Sequence, residues 1–157
     1  MTDVTSQEYS ELDCFLRLCA TLTDFSVTEL ISTGMGKHYL ALCQQQAGNQ
    51  NIEWLLQKSE LLGAEPSEFT VRAELLADER AGPLCRHLMV LWLLGIWDPL
   101  PIQWIEAYYD KTKIEGRSYV PSEKAYVEGL VWKVIEAHPP GSRHTGFGSW
   151  SEPPGNE

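Results

Sequence analysis

The chain has 157 residues, 43% of them hydrophobic, which is enough for one domain with a core of its own. Its net charge is −10, and the acid is concentrated at the front: residues 1–80 carry 13 Asp/Glu against 5 Lys/Arg, whereas residues 81–157 carry 9 against 7. That front half repels a phosphate backbone and no basic patch offsets it, so no nucleic-acid partner is expected.

In chain order, Leu12, Phe15, Leu16, Cys19 and Leu22 recur at helical spacing, with Thr5 and Glu8 placed as a capping box ahead of them. A second box, Ser26 with Glu29, predicts a short helix through Ile31, and Gly34 and Gly36 turn the chain before Tyr39, Leu40, Leu42 and Cys43 resume the pattern. Gly48 and Asn49 form the next break. Ile52, Leu55, Leu56 and Ser59 continue on a helical face toward Leu62 and Gly63. Pro66 and Ser67 open a short helix built on Phe69, Val71, Leu75 and Leu76. Gly82-Pro83 then offers a helix entrance to LCRHLMVLWLLGIW, which is apolar on nearly every side and is expected to be central and shielded by the others. Its most apolar run, Leu88 to Trp97, is interrupted by Gly95 and is too short to span a bilayer, so no direct membrane insertion is expected.

Pro99 and Pro101 end that helix, Trp104 to Tyr109 adds a turn or two, and Lys111 to Gly116 reads as a polar loop. Pro121-Ser122 opens one last helix on which Val127, Leu130, Val131, Val134 and Ile135 align. No strand ladder and no repeat is visible. The expected architecture is all-α, a compact bundle of five to seven helices over residues 1–137, followed by an irregular Gly/Pro/aromatic tail over residues 138–157.

The four cysteines, Cys14, Cys19, Cys43 and Cys85, lie in helices without CxxC spacing. They are expected to be reduced and buried, with a disulfide as the alternative in an oxidising compartment, and no metal is expected from them. His138 and His144 have no ligand spacing, and His87 on an apolar helix suits a hydrogen bond to a carbonyl. Gly34-Met35-Gly36-Lys37-His38 lacks the rest of a phosphate loop and follows no strand, so it reads as a helix corner. Asp98, Glu106 and Asp110 bracket the segment after the apolar helix, and nothing in their spacing makes them converge. No catalytic residue, cofactor-binding residue or metal ligand is therefore assigned.

Six tryptophans are the remaining anomaly. Trp92 and Trp97 belong to the apolar helix and its exit, and Trp54 reads as half covered. Trp104, Trp132 and Trp150 serve either to pin the tail to the domain or as rigid anchors at a protein interface. A tail with Phe147 and Trp150 among glycines and prolines needs a groove, on this chain's own helices or on another protein. Tyr119, Trp132, Phe147 and Trp150 are the candidate interface residues.

Taken in order, FLRLCATLTDFSVTEL, Tyr39-Leu40 after the glycine corner, LWLLGIWD, SYVPSEKAYVEGLVWKVI and the closing GFGSWSEPP resemble the small, non-catalytic subunit of membrane-associated, flavin-dependent sugar and alcohol dehydrogenase complexes, over about residues 12–154 with gaps. The resemblance implies a helical partner that binds the large flavoprotein subunit and helps it mature, with FAD and the chemistry held by that subunit and no cofactor in this chain. Two departures stand out. The N-terminus, MTDVTSQEYSELD, shows no twin-arginine leader, which leaves a cytoplasmic location as the chain stands, or a periplasmic one if a leader-bearing partner exports the pair. No cysteine follows Cys85, where tails of that family commonly carry one, so assembly through the tail would be non-covalent. The rival readings are a stand-alone helical adaptor or inhibitor and, third, a small helical enzyme using Asp98, Glu106, His87 or His138.

Overall fold

The computed structural model describes residues 3–110 and 116–140, with side chains from residue 11 onward. The architecture is all-α, as the periodicity predicts; an isolated antiparallel bridge, Trp97 to Tyr119, is the extended pairing among the described residues. The helices are α1 (Asp3–Thr23), α2 (Val27–Thr33), α3 (Gly36–Ala47), α4 (Asn49–Glu60), α5 (Glu68–Val71, continued by a π turn over Arg72–Leu76), α6 (Ala81–Leu94), α7 (Ile102–Tyr108), α8 (Glu123–Val127) and α9 (Val131–Val134).

Helix α1 runs from Asp3, so the expected Thr5/Glu8 box falls inside it rather than at its start. It buries Phe15, Leu16, Leu18 and Cys19. The Ser26 box is real. The Ser26 hydroxyl accepts from the Glu29 amide at 3.2 Å, and the Glu29 carboxylate accepts from the Ser26 amide at 2.9 Å. The Ser26 amide, and after it the Ser26 hydroxyl donating to the same carboxylate at 2.9 Å, hold the Glu29 carboxyl below its ordinary range. Gly34, in the left-handed region with φ of 69°, closes α2, and α3 starts at Gly36 against Leu16, so the glycines form the expected corner.

The core joins α1, α3, α4 and α6 through Phe15, Tyr39, Ile52, Leu55, Leu84, Leu91 and Trp92. The Tyr39 and Trp92 rings meet edge-on at 4.8 Å. The Tyr39 hydroxyl is buried without a hydrogen-bond partner among the described residues.

Helix α6 is entered through Asp78, whose carboxylate accepts from the Arg80 and Ala81 amides at 2.9 and 2.7 Å. Burial alone would raise the Asp78 carboxyl, but these two amides and Lys58 outweigh it and hold it low. The helix is not shielded all round. Met89, Val90 and Leu93 are only half-buried and Leu94 is exposed, although α1 and the π turn pack against the helix.

Asn51, buried in α4, ties the entry of α6 to α7. Its Nδ2 donates to the carbonyls of Ala47 and Tyr108, and its Oδ1 accepts from Arg80 Nε and Nη2 at 3.0 and 2.7 Å. The Arg80 guanidinium lies 4.1 Å above the Trp54 ring. Trp104, one of the ambiguous tryptophans, is core: its indole nitrogen donates to the Arg80 carbonyl at 2.9 Å.

Candidate interaction face

Main-chain hydrogen bonds tie residues 116–140 to the end of α6 and the turn after it, alongside the buried side chains of Ala125 and Leu130. The Trp97 amide donates to the Tyr119 carbonyl at 2.9 Å and the Tyr119 amide returns to Trp97 at 3.0 Å. The Leu130 amide donates to the Trp92 carbonyl at 3.0 Å. Two glycines permit the approach: a Cβ on Gly95, which sits at φ of 68°, would lie 2.2 Å from the Ala125 carbonyl oxygen, and one on Gly129 would lie 3.0 Å from that of Leu93.

This docking corrects the single C-terminal helix that the sequence predicts. The Leu130 amide is spent on Trp92 instead of on the carbonyl of Tyr126, so the helical ladder breaks at Gly129 and two short helices result. The apolar residues then part company. Leu130 is 1% exposed, whereas Val134 and Ile135 are 63% and 55% exposed. Helix α2 lies close by, since Lys124 Nζ reaches Gly34 and the Lys133 charge acts on Glu29, and Ile31 on α2 is also exposed.

Of the expected interface residues, Tyr119 is half-buried and its hydroxyl accepts from Gln46 Nε2 at 3.1 Å, so it fastens the segment to α3. Trp132 is half-buried on α9. Its indole nitrogen donates to the Tyr126 carbonyl at 2.9 Å, and its ring meets that of Tyr126 edge-on at 5.5 Å. A surface groove lies beside it, lined by Val127, Trp132, Lys133, His138 and Pro139. Phe147 and Trp150, and all of the expected tail beyond Pro140, lie outside the described residues, as does His144. Exposed Val134, Ile135 and Ile31 were not expected. Their signal in the sequence was hidden because all three fit a helical apolar pattern.

The groups weighed for chemistry are dispersed. The His87 ring bridges two carbonyls, Nδ1 to Pro83 at 2.7 Å and Nε2 to Pro99 at 3.1 Å, as a helix-bound histidine was expected to do. A neutral ring donates to only one of them at a time. His38 and His138 are exposed; Glu106 and Asp110 are exposed while Asp98 is half-buried. Cys19, Cys43 and Cys85 are buried free thiols and Cys14 is half-buried. Burial raises the Cys19 and Cys43 thiols and pushes Cys85 up to about 12. Among the described residues no three His, Cys, Asp or Glu side chains are placed to hold a metal, and no helix is long and apolar enough to cross a membrane.

Compared with family models, curated proteins and solved structures, the chain matches none. What can be said of its function therefore rests on its own residues.

Proposed function

We propose that this chain is a non-catalytic small subunit, or an assembly and maturation chaperone, that binds the large FAD-containing subunit of a sugar or alcohol dehydrogenase complex. The observation that carries a binding role is the α8–α9 face. Val134 and Ile135 stand exposed on α9, whose Trp132 lines a surface groove, Ile31 stands exposed on nearby α2, and the same stretch of chain carries Lys124, Lys133, Glu128 and Glu136. Complete burial of a side chain of this size gains roughly 1.5–3 kcal/mol, so three together can anchor a partner before the costs of association are met. The identity of that partner rests on the resemblance alone, and SYVPSEKAYVEGLVWKVI, one of the motifs that carry it, is the stretch that builds this face.

In mechanism, the body acts as a rigid support. The backbone contacts to α6 fix α8 and α9, which present apolar side chains whose rotamers lose little on binding, and the mixed charges at the rim select the approach. FAD and the redox chemistry would belong to the partner. The test is to purify the tagged chain from its native host and record both the co-purifying polypeptides and the flavin absorbance. A large protein carrying flavin is expected; recovery of a flavin-free partner would favour the adaptor reading, and recovery of the chain by itself would overturn both.

A further inference from the structure

The corner between α3 and α4 carries more carboxamides than the fold uses. From Gln44 to Asn51 the chain reads QQQAGNQN, six carboxamides in eight residues. Three of them hold the structure together: Gln44 donates to Glu11 at 3.0 Å, Gln46 to the Tyr119 hydroxyl at 3.1 Å, and Asn51 joins α4 to α7 and to Arg80. Gln45, Asn49 and Gln50 are exposed, and their side chains bond nothing else among the described residues. With Ala41, Tyr108 and Tyr109 these three line an open groove of about 620 Å³. The end of α7 is pinned beside it. The Tyr109 hydroxyl donates to the Gln45 carbonyl at 3.1 Å, the Tyr108 carbonyl accepts from Asn51 at 2.9 Å, and a Cβ on Gly48 would meet the Tyr109 ring at 2.7 Å. The Tyr108 ring packs beside Trp104 at 5.6 Å and the Arg80 guanidinium at 5.5 Å, yet stays 36% exposed. The walls are therefore set before any ligand arrives.

The chemistry of those walls limits what can bind. Among the described residues no Asp, Glu, Lys, Arg or His lines this groove. The groove at Trp132 has Lys133 and Glu136, the one between α1 and α6 has Asp24 and Arg86, and the one at Arg17 has Glu60. An ion would find no counter-charge here, and a metal no ligand set. Aliphatic surface among the described walls is limited to Ala41, so an apolar ligand or a partner helix would find no pocket for its anchors. Each carboxamide offers two donors and an acceptor oxygen, which suits hydroxyl groups, since they also donate and accept. The exposed Tyr108 ring adds a flat apolar surface. An uncharged ring compound rich in hydroxyls satisfies both.

We propose that the α3–α4 corner and the end of α7 form a binding site for a neutral saccharide, whose hydroxyls bond Gln45, Asn49 and Gln50 and whose ring lies against Tyr108. The site is separate from the α8–α9 face and needs no flavoprotein partner.

The test uses the full chain, labelled with nitrogen-15, and three neutral trisaccharides, maltotriose, cellotriose and triacetylchitotriose, with trigalacturonate and adenosine as charged and aromatic controls. At least one neutral trisaccharide is expected to shift the amides of Gln45, Asn49, Gln50 and Tyr109, with a Kd of about 1–10 mM that salt leaves unchanged. Gln45→Ala with Gln50→Ala should weaken that binding about fivefold or more without changing Tm, since both side chains are exposed. Val134→Glu with Ile135→Glu should leave it intact. Three results would overturn the site: no shift at this corner from any neutral trisaccharide at about 20 mM, tighter binding of trigalacturonate or adenosine, or an unchanged Kd in the Gln45/Gln50 variant. None of them bears on flavoprotein capture through α8–α9, so the two proposals fail separately.

Discussion

The helical body and the segment 116–140 solve the same problem by different means. In the body, side chains hold the helices: Phe15, Leu55, Leu91 and Trp92 interlock across α1, α4 and α6, and a helix keeps its place because its apolar face is covered. In residues 116–140 the backbone makes much of the attachment, through the Trp97–Tyr119 bridge, the Leu130 amide and the close passes at Gly95 and Gly129. A segment held by its main chain can leave its side chains outside. That is why Val134 and Ile135 remain exposed although their neighbour Leu130 is buried, and it is the physical basis for reading α8–α9 as a face for another protein.

The sharpest way to break this distinction is at Gly95. Gly95→Ala places a Cβ against the Ala125 carbonyl in a left-handed conformation. Strain and overpacking together should cost about 4 kcal/mol, or undock residues 116–140 while the body stays folded. Denaturant unfolding followed by tryptophan fluorescence reads this as a lowered midpoint or as a new first transition, and an unchanged curve would contradict the backbone docking.

Within the segment itself, Leu130→Ala should cost about 3 kcal/mol whereas Val134→Ala should stay within about 0.5 kcal/mol. Equal losses at the two positions would mean that α9 is packed as a single amphipathic helix after all.

The body offers a change of opposite sign. Tyr39→Phe removes a buried hydroxyl that lacks a partner among the described residues and keeps the ring against Trp92, so calorimetry should show no loss and a gain of up to about 1 kcal/mol. A clear loss would reveal a partner for that hydroxyl.

The smallest effect concerns the α2 cap. The folded chain holds the Glu29 carboxyl below its unfolded value, so its contribution is present above the unfolded carboxylate range and is lost as pH falls through the folded value. Tm should therefore fall on acidification, and less steeply in Ser26→Ala, which removes the hydroxyl that bonds Glu29. Parallel curves for the two proteins would remove the cap from the acid response.

Much of the body was legible because its helices are long and punctuated. The Ser26 box, the glycine corner and the break at Gly48 follow from local chemistry that the fold leaves intact, and three of the four cysteines expected to be buried are so, Cys14 being half-buried. What was not legible depends on long-range main-chain contacts. Nothing local to Gly129 says that the Leu130 amide will leave its helix for Trp92, and Phe69, although apolar and grouped with Val71 and Leu75, stays exposed on α5 while those two enter the core. Trp104 was ambiguous because its partner, the Arg80 carbonyl, lies far away in sequence. The interface residues divided accordingly. Trp132 lies on the face, Tyr119 is a fastening, and Phe147 and Trp150 lie outside the described residues.

The measurement that tests the central claim most directly compares two tagged proteins purified from the native host, the unaltered chain and the double variant Val134→Glu with Ile135→Glu. The account predicts that the unaltered chain brings down a large polypeptide with bound flavin, and that the variant, equal to it in Tm, brings down neither. Equal recovery of flavin by both would contradict the placement of the interface, and its absence from both would contradict the dehydrogenase-subunit reading.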